Sequence, residues 1–403
     1  MSAVPLPSTP ARAAWPRRVL PRLLLLAAAC LLLAGFTHSR TRELADPAGA
    51  LAARLAAPGG VSPLLPSARI EALLATVPSR SGHVATADGV PVFWRAMDPG
   101  DYRMHYAWLG AHGGQRQRMD YTLSMRAPVH AVAPRGTVVL LHGWMMDGGS
   151  LLPWSVELAQ RGYRTITLDL RNHGRSGTAP SGYGTREAAD VVAVLRQLRA
   201  RGEVTGPLHV MGVSYGAATA IFAARDLGVP SDGNEVDDLQ LGGVVAMESF
   251  DNAGRAIRDM VPHMLQRAPD STGEWLAQAW LRWRFDPRLL DAAIADADRR
   301  LALDLDRIDV GAALAQAPAC VLLIHGRDDA HVPVAHGRAL AAAAPRARYL
   351  ELAGEDHLSL PMRLDRLAPT VEDWFARTPG TGDGACPQPL APGRLNAGTS
   401  RSL

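Results

Sequence analysis

The chain has 403 residues, of which 47% are hydrophobic and 20% are charged, a composition typical of globular proteins rather than disordered ones. It contains no lysine, which excludes a Walker-type phosphate loop and a lysine Schiff base. The formal net charge of +3 is spread along the sequence, and no concentrated basic face indicates a nucleic-acid partner.

An apolar run at residues 23–36 follows a basic segment that holds Arg17, Arg18 and Arg22. This order is typical of an export signal or a membrane anchor. As a helix the run would extend about 21 Å, less than the ~30 Å hydrocarbon core of a bilayer, and no clear cleavage site follows it. We therefore interpret residues 1–40 as a signal peptide or as an uncleaved anchor with its basic end in the cytoplasm, and a buried soluble helix remains the alternative. A signal peptide and an anchor both predict that the rest of the chain is exported. It would be secreted or periplasmic after cleavage of a signal peptide, and membrane-anchored on the non-cytoplasmic side otherwise.

The three cysteines are Cys30 in the apolar run, Cys320 in a predicted strand and Cys386 near the end of the chain. Their spacing matches neither a metal site nor a disulfide framework, so all three are predicted to be unpaired.

Residues 41–80 are predicted to be a linker with helical pieces, and residues 81–377 a single catalytic domain. Two alternating segments, residues 102–108 and 119–125, flank a glycine-containing turn and predict an antiparallel pair of strands. After them, apolar strands alternate with helices, which predicts a mostly parallel sheet with helices on its faces. The predicted strands are 137–142, 163–170, 208–213, 243–247, 319–325 and 348–352, and the predicted helices are 151–161, 186–201, one after the strand 208–213 and one after each of the last two strands.

Residues 251–318 interrupt this alternation and are predicted to form a mostly helical insertion. Leu276, Trp280 and Trp283 share one helical face, which indicates packing onto the body of the protein or a roof over an apolar pocket. Asp286 and Pro287 resemble an N-cap followed by proline at the first helical position. Residues 378–403 are rich in glycine and proline and are predicted to be disordered.

The sequence Gly-Val-Ser-Tyr-Gly, residues 212–216, stands between the strand 208–213 and a helix-forming run. A serine in this context occupies a sharp, strained turn that projects its hydroxyl above the sheet. Gly212 and Gly216 lack the Cβ atoms that would clash as the helix packs back onto the strand. The pattern predicts a nucleophile elbow at Ser214.

Three further motifs lie at the ends of predicted strands, two of them before the elbow and one after it. They are Leu141-His-Gly-Trp144, the segment 169–177 (Asp-Leu-Arg-Asn-His-Gly-Arg-Ser-Gly), and the pair formed by 326–333 and 354–357, which hold Asp329 and His357. With the elbow they resemble the α/β-hydrolase fold superfamily, and the resemblance covers roughly residues 90–375. It implies an α/β-hydrolase fold, a mostly parallel central sheet flanked by helices, with residues 251–318 as a helical cap before the strand that carries the acid.

The resemblance implies that Ser214 is the nucleophile, His357 the base and Asp329 the acid that orients the imidazole. Asp328 also follows that strand, and Glu248 ends the preceding one, so both remain alternatives for the acid. The other histidines that belong to family motifs are interpreted as structural, namely His142 and His173. His325, His331 and His336 cluster around the acid but lack carboxylates at metal-ligand spacing, so we expect neither a metal nor a cofactor.

A tetrahedral oxyanion needs preorganised N–H donors. The resemblance assigns them to the backbone amides of Trp144 and Tyr215. Met145 and Met146, which follow Trp144, are predicted to line an apolar substrate pocket. Trp280 and Trp283 are candidates for its roof.

These features predict a serine hydrolase that cleaves an ester or a related acyl bond in a small molecule through an acyl-enzyme intermediate. An acyltransferase or peptidase on the same scaffold remains open, as does a binding protein with an inactive site. A haloalkane dehalogenase is disfavoured because it would need a carboxylate at position 214. The substrate itself does not follow from the sequence.

Overall fold

The computed structural model describes residues 46–59, 67–75, 77–109, 118–125, 132–228, 239–266, 287–378, 380, 385–393 and 401–402. The predicted export segment lies outside these ranges, as do Leu276, Trp280 and Trp283 of the insertion. Among the described helices, none combines the length and the apolar character needed to cross a bilayer.

Eight strands form the central sheet. In chain order the described strands are β1 (Arg80–Ala85), β2 (Pro91–Met97), β3 (Tyr102–Leu109), β4 (Arg118–Met125), β5 (Thr137–Leu141), β6 (Arg164–Leu168), β7 (Leu208–Val213), β8 (Leu241–Met247), β9 (Val321–Gly326), β10 (Arg348–Leu352) and β11 (Arg401–Ser402). The order in the sheet is β1-β2-β6-β5-β7-β8-β9-β10. The six strands from β6 to β10 in this order run parallel, and β1 and β2 add an antiparallel edge. The predicted α/β class is confirmed.

The sheet is buried on both faces by helices. They are α1 (Pro47–Ala56), α2 (Ser67–Leu74), α3 (Leu152–Gln160), α4 (Thr185–Ala200), α5 (Tyr215–Leu227), α6 (Ala253–Gln266), α7 (Pro287–Leu301), α8 (Val310–Gln316), α9 (Val334–Ala343) and α10 (Leu364–Arg377). Alternate residues of a strand point to opposite faces. Val139 and Leu141 of β5 accordingly join the core beside α4 and α5, whereas Val138 and Leu140 join the core beside α3 and α10. Both sets are fully buried, which explains why β5 is continuously apolar.

The predicted antiparallel pair is present as β3 and β4, which pair from Tyr102 opposite Met125 to Leu109 opposite Arg118. They form a separate small sheet, to which β11 adds a short antiparallel strand. This sheet is not part of the central one, so it does not contribute to the edge where the candidate site lies.

The insertion contains helices α6, α7 and α8 within its described residues. Helix α7 begins at Pro287, as the sequence predicted. It packs against α1, whose Ala52 and Leu55 are buried, so part of the predicted linker belongs to the folded body. A roof over the site formed by Trp280 and Trp283 remains a prediction.

The prediction of three unpaired cysteines is wrong, because Cys320 and Cys386 form a disulfide. Cys386 is buried, and its carbonyl accepts hydrogen bonds from the guanidinium of Arg348. Further along, Gly393 exchanges hydrogen bonds with the backbone and side chain of Arg366 on α10. Residues 385–393 therefore lie against the body, in contrast to the predicted disorder of the whole tail. A segment so rich in proline and glycine buries little apolar surface, but the disulfide holds it against the body.

Loss of this disulfide is expected to lower the free energy of unfolding by about 4 kcal/mol, because the bond closes a loop of 66 residues in the unfolded chain. Urea unfolding without reductant would measure the loss in Cys320→Ser, in Cys386→Ser and in the double variant. All three should lose the same amount, since each removes the same bond. If the loss of unfolding free energy in the double variant equalled the sum of the two single losses, the two cysteines would not be paired.

Candidate active site

The turn between β7 and α5 holds Ser214 in a strained conformation, with φ 54° and ψ −114°. A positive φ is uncommon for a residue with a side chain and marks a position that the surrounding structure enforces. Two glycines permit this turn. A Cβ on Gly216 would lie 2.2 Å from the carbonyl oxygen of Leu141, and a Cβ on Gly212 would lie 2.1 Å from that of Gly216. The sharp, strained turn that the sequence predicts at Ser214 is therefore present, and the role of Ser214 as a nucleophile stays a prediction.

Asp329 lies in the loop that follows β9, at the carboxyl edge of the sheet. Its Oδ1 accepts hydrogen bonds from the amides of His331 (2.8 Å) and Val332 (2.9 Å), which fix the carboxylate. Burial alone would raise the pKa of this carboxyl, but the imidazoles of His357 and His325 and the amide of Val332 outweigh it and hold the pKa below its usual value. Asp329 is therefore ionised.

His357 lies in the loop that follows β10. Buried Glu355, two residues before it, anchors this loop by accepting hydrogen bonds from Arg363 (2.6 Å) and Arg366 (2.7 Å). Asp356 supports it from within, because its Oδ1 accepts from the amides of Leu358 and Ser359. The imidazole is thus carried on a loop that charged hydrogen bonds tie to α10.

The structure brings together the three side chains that the sequence selected. His357 Nε2 is 3.0 Å from Ser214 Oγ, across 143 positions of sequence, and His357 Nδ1 is 2.7 Å from Asp329 Oδ2. An ionised carboxylate only accepts, so Nδ1 carries the ring proton and Nε2 is left as an acceptor facing the serine hydroxyl. In this arrangement the imidazole can take the proton of Ser214.

The two alternatives for the acid lie in different places. Asp328 accepts a hydrogen bond from the amide of Gly354 (3.1 Å), so it links the two loops and does not face the imidazole. Glu248 is fully buried, and its Oε2 lies 3.4 Å from His357 Nδ1. The imidazole therefore has two carboxyl neighbours, of which Asp329 is the nearer.

Glu248, Asp329 and His357 are also the one group of described residues whose potential ligand atoms lie close enough, within 4.8 Å of one another, to hold a metal ion. A metal would need a free ring nitrogen of His357. Both ring nitrogens are already engaged, Nδ1 by Asp329 and Nε2 by Ser214. The donor set fits a hydrogen-bonded acid and base better than a metal centre.

The clustered histidines do not converge on a common point within the described residues. His325 Nε2 lies 2.8 Å from the carbonyl of Val332, and His336 bridges Asp251 and Asp259 through its two ring nitrogens. The ring of His331 stacks on that of His357, with centroids 5.3 Å apart. The contact of His331 with His357 could not be predicted from the sequence, because it depends on the conformation of two separate loops.

The loop after β5 lies beside the serine. A Cβ on Gly143 would be 3.6 Å from the Cβ of Ser214, and Met145 adopts a positive φ of 56°. The indole of Trp144 contacts the rings of Tyr183 and Tyr215 at centroid distances of 5.1 and 5.2 Å. Its side chain therefore packs inward, which leaves only its backbone for a role at Ser214. Met145 and Met146 are half-buried on this loop, and their role in a pocket remains a prediction.

His142 holds this loop in place. Its Nδ1 is 2.8 Å from the carbonyl of Gly143, and its Nε2 accepts a hydrogen bond from the amide of Leu170 (3.0 Å). Complete burial, with a smaller contribution from His173, lowers the pKa of His142 to about 3. The imidazole is thus neutral and structural, as interpreted from the sequence.

The pKa of His142 predicts a pH dependence of stability. An unfolded histidine has a pKa near 6.5, so below that pH the unfolded chain binds a proton that the folded chain does not, and stability falls as the pH falls toward 3. At pH 5 this cost is about 2 kcal/mol relative to pH 7. Urea unfolding at both pH values should show a drop about 2 kcal/mol larger in the parent than in His142→Asn. If the free energy of unfolding fell equally in the parent and in His142→Asn, the acid sensitivity would come from groups other than His142.

The sequence matches the alpha/beta hydrolase family over residues 138–370, more than half of the chain. The chain belongs to the alpha/beta hydrolase family. The matched segment begins in β5 and ends in α10, so it contains Ser214, Asp329 and His357.

Relatives of this alpha/beta hydrolase include esterases. A pimeloyl-[acyl-carrier protein] methyl ester esterase of Xanthomonas oryzae pv. oryzae (strain MAFF 311018) is 27% identical over 252 residues, which are 60% of this chain and 96% of that protein. A non-heme chloroperoxidase of Burkholderia pyrrocinia is 33% identical over 90 residues, 22% of this chain and 31% of that one. The solved structure of the Pyrococcus furiosus esterase Pf2001 has a TM-score of 0.51 at 18% identity, and covers 80% of this alpha/beta hydrolase and 98% of its own chain. At that identity the likeness shows the fold.

Proposed function

We propose that this alpha/beta hydrolase is a serine esterase. The observation that carries the proposal is the geometry of His357, whose Nε2 lies 3.0 Å from Ser214 Oγ while its Nδ1 lies 2.7 Å from Asp329 Oδ2. A serine hydroxyl becomes a useful nucleophile when a neighbouring imidazole accepts its proton, and a carboxylate on the other nitrogen stabilises the resulting cation. This arrangement supports a nucleophile, base and acid in the roles that the sequence assigned.

The reaction proceeds in two halves. Ser214 Oγ attacks the acyl carbon as His357 takes its proton, and the imidazolium then gives that proton to the leaving alkoxide, which completes the acyl-enzyme. In the second half His357 takes a proton from water, the resulting hydroxide attacks the acyl carbon, and the proton returns to Ser214. Asp329 stabilises the imidazolium in both halves.

The oxyanion of each tetrahedral intermediate accepts hydrogen bonds from the amides of Tyr215 and Trp144. Tyr215 is the first residue of α5, where the N–H groups have no acceptor inside the helix and the helix dipole favours negative charge. Trp144 follows Gly143, whose close approach to Ser214 supports the second donor. Because both donors are backbone groups, they are fixed before the charge develops.

The substrate that we propose is a small carboxylic ester. The relative from Xanthomonas oryzae pv. oryzae, a pimeloyl-[acyl-carrier protein] methyl ester esterase, supports a methyl ester as one candidate. Half-buried Met145 and Met146 beside the serine support an apolar acyl or alcohol group, since methionine adapts to irregular ligands. Acyl transfer to an alcohol or an amine would use the same acyl-enzyme, so product analysis with added alcohol and with a peptide distinguishes the alternatives.

A fluorophosphonate probe and a series of p-nitrophenyl esters of increasing chain length test this function. The probe should attach to Ser214 alone, as read by peptide mass spectrometry, and the series should show an optimum chain length. Attachment to another serine, or hydrolysis without any labelling, would contradict the proposal.

We also propose that the folded part of the chain functions outside the cytoplasm, with the apolar run at residues 23–36 as its export signal or membrane anchor. Two independent features support this location. A basic segment precedes the run, and the Cys320–Cys386 disulfide suits an oxidising compartment. Fractionation of cells, with sequencing of the mature N-terminus, would distinguish the released form from the anchored one.

A further inference from the structure

A second carboxyl group lies at the imidazole of His357. Glu248 follows β8 directly, and its Oε2 is 3.4 Å from His357 Nδ1, on the side opposite to Ser214. The side chain is fully buried, and neither of its carboxyl oxygens makes a hydrogen bond of good geometry to the described part of the chain, the nearby N–H of Gly326 included. The backbone of Glu248 also has a positive φ of 55°.

Both features are costly for an ordinary structural residue. A buried polar group without a hydrogen bond loses its hydration without compensation, and a positive φ strains a residue that has a side chain. Such costs concentrate at functional sites. Here they coincide on the residue that faces the proton-bearing nitrogen of the proposed base.

The sheet topology explains how two carboxyls reach one nitrogen. Strands β8 and β9 are parallel neighbours, so Glu248 at the end of β8 and Asp329 after β9 emerge at the same edge. Burial raises the pKa of Glu248 well above its usual range, the charges of Asp329, Asp356 and Glu355 raise it further, and the N–H of Gly326 opposes them only in part. Glu248 is therefore neutral while Asp329 carries the charge.

We propose that Glu248 is a positioning residue for His357. It is a second acceptor for the hydrogen bond from Nδ1–H, and it replaces Asp329 as the acceptor when the charge of Asp329 is absent. The inference rests on the proposed function, in which His357 acts as the base. Loss of the negative charge at position 329 lowers the pKa of Glu248, although burial and the charge of Asp356 still raise it. As the pH rises, the carboxyl of Glu248 releases its proton to water, and the resulting carboxylate accepts the hydrogen bond from Nδ1. The tautomer with Nε2 free to accept from Ser214 is then retained.

Asp329→Asn isolates this role. Its amide oxygen can still accept from the amides of His331 and Val332, while its NH2 group replaces Oδ2 and would donate to His357 Nδ1. Without another acceptor the ring proton would move to Nε2, and kcat would fall by about 10⁴-fold. With Glu248 as the second acceptor we expect a fall of about 10²-fold, the lower end of what general acid–base catalysis contributes.

The variant Asp329→Asn/Glu248→Gln should lose the remaining activity, whereas Glu248→Gln alone should lower kcat/KM only several-fold. In Asp329→Asn the activity should rise with pH as Glu248 ionises. The negative charges of Asp356 and Glu355 raise the pKa of Glu248, and a positive charge on His357 would lower it. Asp329→Asn/Asp356→Asn is the matched control. Asparagine keeps an oxygen that can accept from the amides of Leu358 and Ser359, so this variant should retain the residual activity. It removes one of the charges that raise the pKa of Glu248, so the rise of activity should shift to lower pH, whereas Glu248→Gln should abolish that rise.

A readout that does not depend on turnover separates this inference from the proposed function. With ¹⁵N-labelled histidine, NMR reports which ring nitrogen of His357 carries the proton. We expect Nδ1 in the parent and in Asp329→Asn, and Nε2 in Asp329→Asn/Glu248→Gln. Where the double variant does not fold, Glu248→Leu replaces Glu248→Gln, since it avoids a buried unpaired amide.

Two results would overturn the inference. One is a proton on Nε2 already in Asp329→Asn. The other is equal activity and the same tautomer with and without Glu248 in that background. A parent that hydrolyses no ester would overturn the esterase proposal alone, because the tautomer measurement would still decide the role of Glu248.

Discussion

Ser214→Ala is expected to lower kcat for ester hydrolysis by about 10⁵- to 10⁶-fold, because it removes the atom that forms the acyl-enzyme. Within the described part of the chain the hydroxyl makes its hydrogen bond to His357 alone, so the variant should fold normally. The measurement is kcat for the best p-nitrophenyl ester together with the urea midpoint. A rate within tenfold of the parent would rule out Ser214 as the nucleophile.

Ser249→Ala is the matched control for this prediction. Ser249 is buried just after β8, and its hydroxyl donates to the carbonyl of Phe250. The chemical change is the same as in Ser214→Ala, and it removes one buried hydrogen bond, worth about 1 kcal/mol of stability. Loss of activity in both variants, with equal loss of stability, would indicate a general structural effect instead of the loss of a nucleophile.

Much of the fold followed from the sequence because the parallel strands are buried on both faces. Such strands are continuous apolar runs, and β7, which is buried along its whole length, has the predicted bounds of residues 208–213. The edge strand β10 also has its predicted bounds of residues 348–352, and the other predicted strands of the parallel sheet differ from the observed ones at their ends by one or two residues. The motifs at the carboxyl ends of these strands meet at one edge because parallel strands all point the same way. Topology thus accounts for the meeting of Ser214, Asp329 and His357.

Contacts that depend on how chain segments return to the body could not be predicted in the same way. The Cys320–Cys386 disulfide requires the tail to cross back to the start of β9, a path that glycine- and proline-rich composition does not encode. A signal was nonetheless available, since the predicted export places the chain where disulfides form and the two cysteines outside the apolar run make an even number. The distance from Glu248 to the imidazole is a second such contact. The sequence placed this residue at the correct edge but did not give its 3.4 Å approach to His357.

Gly216→Ala is expected to lower the free energy of unfolding by more than about 4 kcal/mol, or to prevent folding. A Cβ at this position would lie 2.2 Å from the carbonyl oxygen of Leu141 and 2.6 Å from that of His142. Both neighbours are backbone atoms of the loop and strand beside the elbow, so no side chain can rotate to make room. The start of α5 would have to move away from β5, and the Tyr215 amide with it.

Gly143→Ala supplies the comparison at the same site. A Cβ there would meet the Cβ of Ser214 and the sulfur of Met146 at 3.6 Å, an ordinary van der Waals distance, so this variant should fold with a small change in the urea midpoint. Soluble expression and urea unfolding would measure both variants. If Gly216→Ala were as stable as Gly143→Ala, α5 could not lie as close to β5 as the structure has it. The position of the Tyr215 amide as an oxyanion donor would then lose its structural basis, because that approach is what holds the helix N-terminus beside Ser214.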